Sequence, residues 1–493
     1  MLNGNVDVSD TADITIVVPQ KTLEWLFKMM ATHVISFLAT TLPGNISAPS
    51  QAPPLPVLSL FAMVGTSVWG YVFVRTSIFL LHLAAPLSVV YSLASWLVHL
   101  PFRIPLALEI WLAFETAFYL FVYLPRKAYL QTVTTHPCAP CRDDRRRLFW
   151  RCHSNIPDPN QYLKKWFRNA PASEIKRENV KDFFQWAFLN TGELDPAYDE
   201  ELEEYVGAME KLLRRKLEPG RGNANCLRLT LDKCVFIVDT AASIYLRYYS
   251  FDFHRTSLSQ FLSIFPLRPL ALFTAYRSPA KTLTYWYRPH TSKSRLPIVF
   301  IHGIGIGLYP YIPFLADLNA KNGEDSDEQV GIIAIEILPI SSRITAAAML
   351  KDETREEVYC ILKAHDWERF ALVSHSSAKL RKRGRHASPR TPQIARKIGP
   401  ILFVDPISFL LHLPDVAYNF ICRKPSHANE HLLSYFGSKD MGLSHTLFRR
   451  FIWADNALWK EDIQCHDVTV VLAGRDMIVD TKVIGAYLTG ADE

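Results

Sequence analysis

Three groups of residues in this 493-residue chain have types and spacing that could do chemistry. The first is Ser374-His375-Ser376-Ser377-Ala378, directly behind the apolar run Phe370 to Val373. The second is IHGIGIG, Ile301 to Gly307, which closes another apolar run. The third is a pair of aspartates, Asp405 and Asp476, which follow the apolar runs GPILFV and DVTVVLA. A serine hydroxyl at its ordinary pKa is a poor nucleophile. It needs a base, a group that orients the base, and donors for the oxyanion it generates. A fourth cluster, His136, Cys138, Cys141, Cys152 and His153, could ligate zinc, but its spacing fits no common finger and no second cysteine pair follows. The reading carried forward is a turn from Pro137 to Pro140 leading into a charged helix, with no metal and no cofactor.

The elements that must position these groups begin at about residue 283. LTYWYRP reads as a strand, LPIVFIHG as a fully buried one, and GIIAIEIL and RFALVSHS as two more, with the helix-like DETREEVYCILKAH between those last two. Strands alternating with helical connections predict a parallel sheet covered on both faces. The carboxyl ends of its strands are where such sheets place their chemistry. The Gly-rich loop superficially suggests a dinucleotide turn, but a third glycine would be needed at position 308, which is Leu308, and no acidic strand end follows at the usual distance.

Taken together, Ser374 to Ala378 after a strand resembles the Gly-x-Ser-x-Gly nucleophile elbow of the α/β-hydrolase superfamily, with Ser374 and Ala378 in the two glycine positions. IHGIGIG resembles that superfamily's His-Gly oxyanion loop. The resemblance implies Ser376 as nucleophile, His302 and Gly303 in the loop, and the N–H groups of Ile304 and Ser377 as oxyanion donors. More specifically, YWYRPHTSKSRLPIVFIHGIGIGLYPYIPFLADLN, IEILPISSRIT and DPISFLLHLPDVAYNF are similar to a group of fungal membrane-anchored AB hydrolase-1 domain proteins. That resemblance implies Asp476 as the triad acid, with Asp405 as the fallback. In the family's order, serine, acid, histidine, a base should follow the acid, and no histidine follows Asp476. His375 neighbours the serine on a tight turn and points away from it, and His466 precedes the acid.

Two departures from the family pattern bear on activity. Ser376 is followed not by an apolar helix but by SAKLRKRGRHASPRTPQ, and residues 377–397 hold eight basic residues and no acid. The hypothesis is that this stretch is a translated intron or a shifted exon edge. The alternative is a basic loop that grips phospholipid or nucleic acid. The chain also stops at Glu493, before a last strand and its histidine, so it reads as truncated and catalytically impaired. Loss of a triad member typically costs on the order of a thousandfold or more.

The front of the chain has a different character. The composition is 49% hydrophobic and 21% charged, with a net charge of +6. This excludes a disordered chain and falls short of a dedicated nucleic-acid binder, so no nucleic-acid partner is expected. The basic segment alone makes the chain positive. Eight cysteines in this length make no disulfide framework. The N-terminus is acidic and polar, unlike a signal peptide. Apolar runs from Pro56 to Val74, from Thr76 to Leu100 and from Ile104 to Leu124 approach the roughly 20 residues needed to cross a bilayer, although Glu109 and Glu115 weaken the third. Arg142, Arg145, Arg146, Arg147 and Arg151 follow, which places the downstream chain on the cytosolic side.

The predicted architecture is an α/β-hydrolase-type, mostly parallel sheet with a helical cap. Residues 1–55 form a polar or amphipathic N-terminus, 56–125 two or three transmembrane helices, 126–282 a helical region, and 283–493 the hydrolase domain, with the cap at about 406–465. The expected function is a membrane-anchored serine hydrolase acting on an ester, with membrane lipids and a small-molecule ester as partners. Two alternatives stand beside it: a non-catalytic hydrolase-like scaffold, and a membrane module with a docked domain. Sequencing the spliced transcript tests the exon hypothesis, which predicts a message that differs across residues 377–397; a message encoding them verbatim ends it.

Overall fold

The computed structural model describes residues 14–17, 67–98, 104–131, 139–191, 195–227, 246–247, 249–265, 268–320, 328–376 and 391–490, and the structural statements below concern those residues. In chain order, a strand β1 (Ile14–Val17) precedes two long helices, α1 (Val68–Leu97) and α2 (Leu106–Leu130). Seven more strands follow: β2 (Asp252–His254), β3 (Thr284–Arg288), β4 (Ile298–Ile301), β5 (Ile332–Glu336), β6 (Phe370–His375), β7 (Ile398–Val404) and β8 (Val468–Val471). They make one sheet in the order β1-β8-β7-β6-β4-β5-β3-β2. All neighbours pair in parallel except β3, which runs antiparallel to both β5 and β2. Central parallel strands are covered on both faces and so read as unbroken apolar runs. All five residues of β5 are buried, and so are three of the four in β4.

The sheet starts earlier than its sequence pattern. Asp252–His254 lies within the stretch expected to be helical and forms the edge beside β3; three residues with an aspartate and a histidine give no alternation to detect. The helices at 142–213 are not a separate body either. Phe149, Phe183, Phe184, Phe188 and Tyr205 belong to the same continuous core as Val299, Ile333, Leu372, Ile401 and Val470 of the sheet. Within that layer a buried ion pair ties the helix Arg142–His153 to the helix Asp199–Leu213. Arg145 holds Glu201 through two N–H donors, at 2.9 and 2.5 Å, and Tyr205 donates to the same carboxylate at 2.6 Å. Fork geometry and a third donor satisfy a carboxylate that would otherwise be costly to bury.

The apolar run Pro56 to Val74 lies outside the described residues as far as position 66. From Val68 a single helix continues through Arg75, so the residue that separates two runs in the sequence separates no helices in the structure. At about 1.5 Å per residue, the 30 residues of α1 extend about 45 Å. Ser67 caps it, its hydroxyl accepting from the N–H of Gly70. Both α1 and α2 are long and apolar enough to cross a membrane. They pack side by side, with the Tyr91 hydroxyl donating to Glu109 at 2.9 Å and Ser92 meeting Thr116 at 3.0 Å. Of the two carboxylates that weakened the sequence reading, Glu109 therefore has a partner on the neighbouring helix.

The outer ends of this hairpin rest on the globular body. Val74 and Ile78 are buried against Ala428, Leu432, Tyr435 and Phe436, and Arg126 donates to the backbone carbonyl of Thr345. Between these anchor points Phe79, Leu80, Leu87, Val90, Leu93 and Trp96 are exposed.

Truncating the centre of the sheet gives a direct test of its placement. Ile333→Ala should cost about 2–5 kcal/mol, read as a lowered midpoint of thermal unfolding. An unchanged midpoint would contradict the burial of β5.

Candidate functional site

Strand register brings the chemistry-bearing residues to one height. Ile301 of β4 pairs with Ser374 of β6, and His375 of β6 pairs with Val404 of β7. Val404 in turn pairs with Val471 of β8. Two steps beyond Ile301 is Gly303, one step beyond His375 is Ser376, and one step beyond Val404 is Asp405. All three leave the sheet together at its carboxyl edge.

Ser376 sits where the chain turns out of β6 with φ +64°. A left-handed conformation is uncommon for a residue with a side chain and costs on the order of 1–3 kcal/mol. It is held here by two backbone hydrogen bonds of 2.9 Å, the Ser376 N–H to the Val404 carbonyl and the Ile407 N–H to the Ser376 carbonyl. A serine on a strained turn after a central strand is the structural context that an elbow motif requires.

The His-Gly loop presses against this turn. A Cβ added at Gly303 would lie 2.3 Å from His375 Nδ1 and 3.0 Å from the Ser376 Cβ, so only glycine fits. Three groups lock the approach. The Gly303 N–H donates to the Tyr311 hydroxyl at 3.1 Å, and that hydroxyl lies 2.9 Å from His375 Nδ1. The Tyr311 hydroxyl thus bridges the loop and the His375 ring at Nδ1. The other ring nitrogen, Nε2, faces Asp405 Oδ2 at 4.0 Å. With Nδ1 on Tyr311 and Nε2 toward Asp405, His375 directs neither nitrogen to Ser376. Burial, then nearby His302, pushes its pKa down to about 4, so it is neutral at neutral pH.

His302 is buried and spends both ring nitrogens locally. Nε2 accepts from the Ile337 N–H at 2.9 Å, which leaves Nδ1 to donate to the Gly303 carbonyl at 2.7 Å. It staples the loop to the end of β5. The loop is also held by the Gly305 N–H on the Ile340 carbonyl and by the Ser342 hydroxyl on the Gly305 carbonyl.

Asp476 lies close enough to Asp405 to raise its pKa. Burial pushes the Asp405 carboxyl up to about 6; the Ala473 N–H, 2.7 Å from its Oδ1, pulls the other way, and Asp476 adds to the rise. Asp476 is also raised by burial, and its Oδ1 accepts from the N–H groups of Ile478 and Val479. Of the residues named from sequence, Ser376, Gly303 and Asp405 come together, with Asp476 close by and His302 behind the loop. Ile304 follows Gly303 at the same turn, and Ser377 lies outside the described residues. His466 is elsewhere, its Nδ1 3.3 Å from the Gly399 carbonyl. Tyr311 was not legible, because an aromatic residue eight positions after Gly303 gives no sign of the contact it makes.

No family model and no curated protein matches this chain. Among solved structures it is similar to a membrane phospholipase A described as a novel bacterial virulence factor, at 12% identity over 50% of this chain and 77% of that one, with a TM-score of 0.29. It is also similar to the 2-hydroxy-6-oxo-6-phenylhexa-2,4-dienoate hydrolase of Rhodococcus sp. strain RHA1, at 14% identity over 42% and 83%, with a TM-score of 0.27. A third is a carboxylesterase structure from Nitrososphaera gargenis, at 13% identity over 41% and 89%, with a TM-score of 0.25. These overlaps are partial and the scores low, so the architecture is read from the strand order and turn geometry above. The similarity to fungal hydrolase-domain proteins rests on the quoted phrases alone.

The raised Asp405 pKa has a measurable consequence. The folded protein holds this proton up to about 6, whereas the unfolded chain releases it near 3.8, so the carboxyl's contribution to stability falls as pH rises between those values. Asp405→Asn should therefore gain stability relative to the unsubstituted protein over that window, by on the order of 2–3 kcal/mol. His375 titrates with the opposite sign in both proteins and largely cancels in the difference. Paired thermal unfolding curves across this range check it; parallel curves would contradict the buried acid.

Proposed function

We propose that this chain is a membrane-anchored serine hydrolase of esters, with Ser376 as nucleophile. The observation that carries the reading is the left-handed Ser376 at the carboxyl end of a central strand, with Gly303 packed against its Cβ. In this reading Ser376 Oγ attacks the ester carbonyl carbon while water takes its proton, the N–H groups of Ile304 and Ser377 receive the oxyanion, and its collapse expels the alcohol, which takes up a proton, leaving an acyl-serine for water to hydrolyse. The Gly303 N–H is already given to Tyr311, which supports the assignment of donation to the next residue in the loop. Asp476 is the acid that would orient a base, with Asp405 as fallback; no metal or cofactor is involved.

The hairpin of α1 and α2 is the membrane anchor, and the segment 406–465 is the cap. The arginines at 142–151 favour the cytosolic side for the catalytic body. A lipid-like ester fits an active site held beside a bilayer.

One observation favours the second reading, a non-catalytic hydrolase-like scaffold. Among the described residues the imidazole next to Ser376 meets Tyr311 at Nδ1 and faces Asp405 with Nε2, so neither nitrogen is offered to the serine. A protein in this state should react slowly, on the order of a thousandfold below an intact triad. Labelling of the full chain by a fluorophosphonate probe tests both readings. Slow labelling that disappears in Ser376→Ala supports the hydrolase. Absence of labelling in folded protein, or labelling that survives Ser376→Ala, supports the scaffold.

A further inference from the structure

We infer that Arg126, Arg449 and Arg450 form a binding site for the phosphate of an anionic phospholipid headgroup at the foot of α2. The inference rests on the membrane-anchor reading above and adds to it a specific lipid contact. Arg126 lies in the last turns of α2, where its guanidinium donates to the Thr345 carbonyl. Arg449 and Arg450 close the helical segment Thr446–Arg450, which continues the helix Met441–His445.

The helix Met441–His445 packs on the last turns of α2, and the three arginines lie near enough to His445 to act on its charge. After burial, the charges of Arg126, Arg450 and Arg449 are what hold that imidazole down to about 4, so no fourth positive charge forms there at neutral pH. None of the three arginines has a carboxylate partner among the described residues, and the Nε of Arg449 is buried with no hydrogen-bond acceptor. Elsewhere Arg145 is paired with Glu201 and Arg268 with Glu336, while the buried Arg288 gives its donors to the Val330 carbonyl. Three guanidinium groups gathered without an acid repel one another, and a polyvalent oxyanion relieves that repulsion through forked N–H donors.

The location selects the source of the anion. One turn before Arg126 the outer surface of α2 is lipid-like, with Phe121 77% exposed and Leu124 40% exposed. Lys127 and Tyr129 share the last turns with Arg126, whose guanidinium lies 5.1 Å from the Tyr129 ring. A basic and aromatic foot directly below an apolar helix sits at headgroup depth when the helix spans a bilayer. A soluble phosphate would need no such helix.

The experiment uses the full chain purified in detergent, with native mass spectrometry to count bound phospholipid. Phosphatidic acid should be retained about tenfold or more over phosphatidylcholine, and the double variant Arg449→Gln/Arg450→Gln should lose that preference. Equal retention of the two lipids, or a preference unchanged in the variant, overturns the proposal. Displacement by inorganic phosphate at comparable concentration overturns the lipid source. If the double variant unfolds, Arg450→Gln alone supplies the comparison. Carbonate extraction of membranes separates the two ideas: a chain released by carbonate sinks the anchor reading and the lipid source with it, whereas a retained chain without lipid preference sinks only the site.

Discussion

The constraint on which the rest depends is the turn at Ser376. The chain leaves β6 in a conformation that a side-chain-bearing residue avoids, and it can do so because the last residue of β7, Val404, supplies a carbonyl for its N–H and Ile407, just beyond β7, an N–H for its carbonyl. Those bonds exist only if β6 and β7 keep their register, and β7 keeps its register only between β6 and β8. The same register sets Gly303 on one side of the serine and Asp405 on the other. A one-residue slip would turn every side chain to the opposite face and dissolve the site.

Contacts lead from the apolar hairpin toward the loops beside this turn. The helix Ala428–Leu432 packs on α1 through Ala428 and Leu432. Within it, Asn429 donates to the sulfur of Met477, the residue after Asp476. On the other flank, Gly442 packs closely on the Pro339 and Arg343 carbonyls, beside the Ile340 carbonyl that holds Gly305. In such an arrangement, packing density transmits displacement more readily than a flexible tether would.

The sheet was legible where burial dominates. IVFI and IIAIE are unbroken apolar runs because parallel strands bury both faces, and Ser376 was legible because it follows such a run. Other features were not. Asp252–His254 pairs at an edge, where burial does not write a pattern. The role of His302 is fixed by the Ile337 N–H, a contact between residues far apart in the chain, so its place in a His-Gly loop suggested chemistry where the structure gives it a staple. Arg75 looked like a boundary because one charge interrupts two apolar runs, yet its neighbour across space is His431 at 3.5 Å, and a helix that finds a polar partner has no reason to break there. The arginines around His445 were invisible for the same reason, since Arg126 and Arg449 come together only in the folded chain.

The strand β1 lies at the far edge of the sheet, with Ile14 opposite Val468. Its partner lies about 450 residues later in the chain. At roughly 5–20 residues per second, the first strand waits on the order of tens of seconds after emerging before β8 exists to receive it. During that interval α1 and α2 are already made while the sheet edge is still open. The order of synthesis therefore commits the apolar helices to their surroundings before the sheet closes, and the last pairing to form ties the chain's beginning to a body whose position has already been chosen.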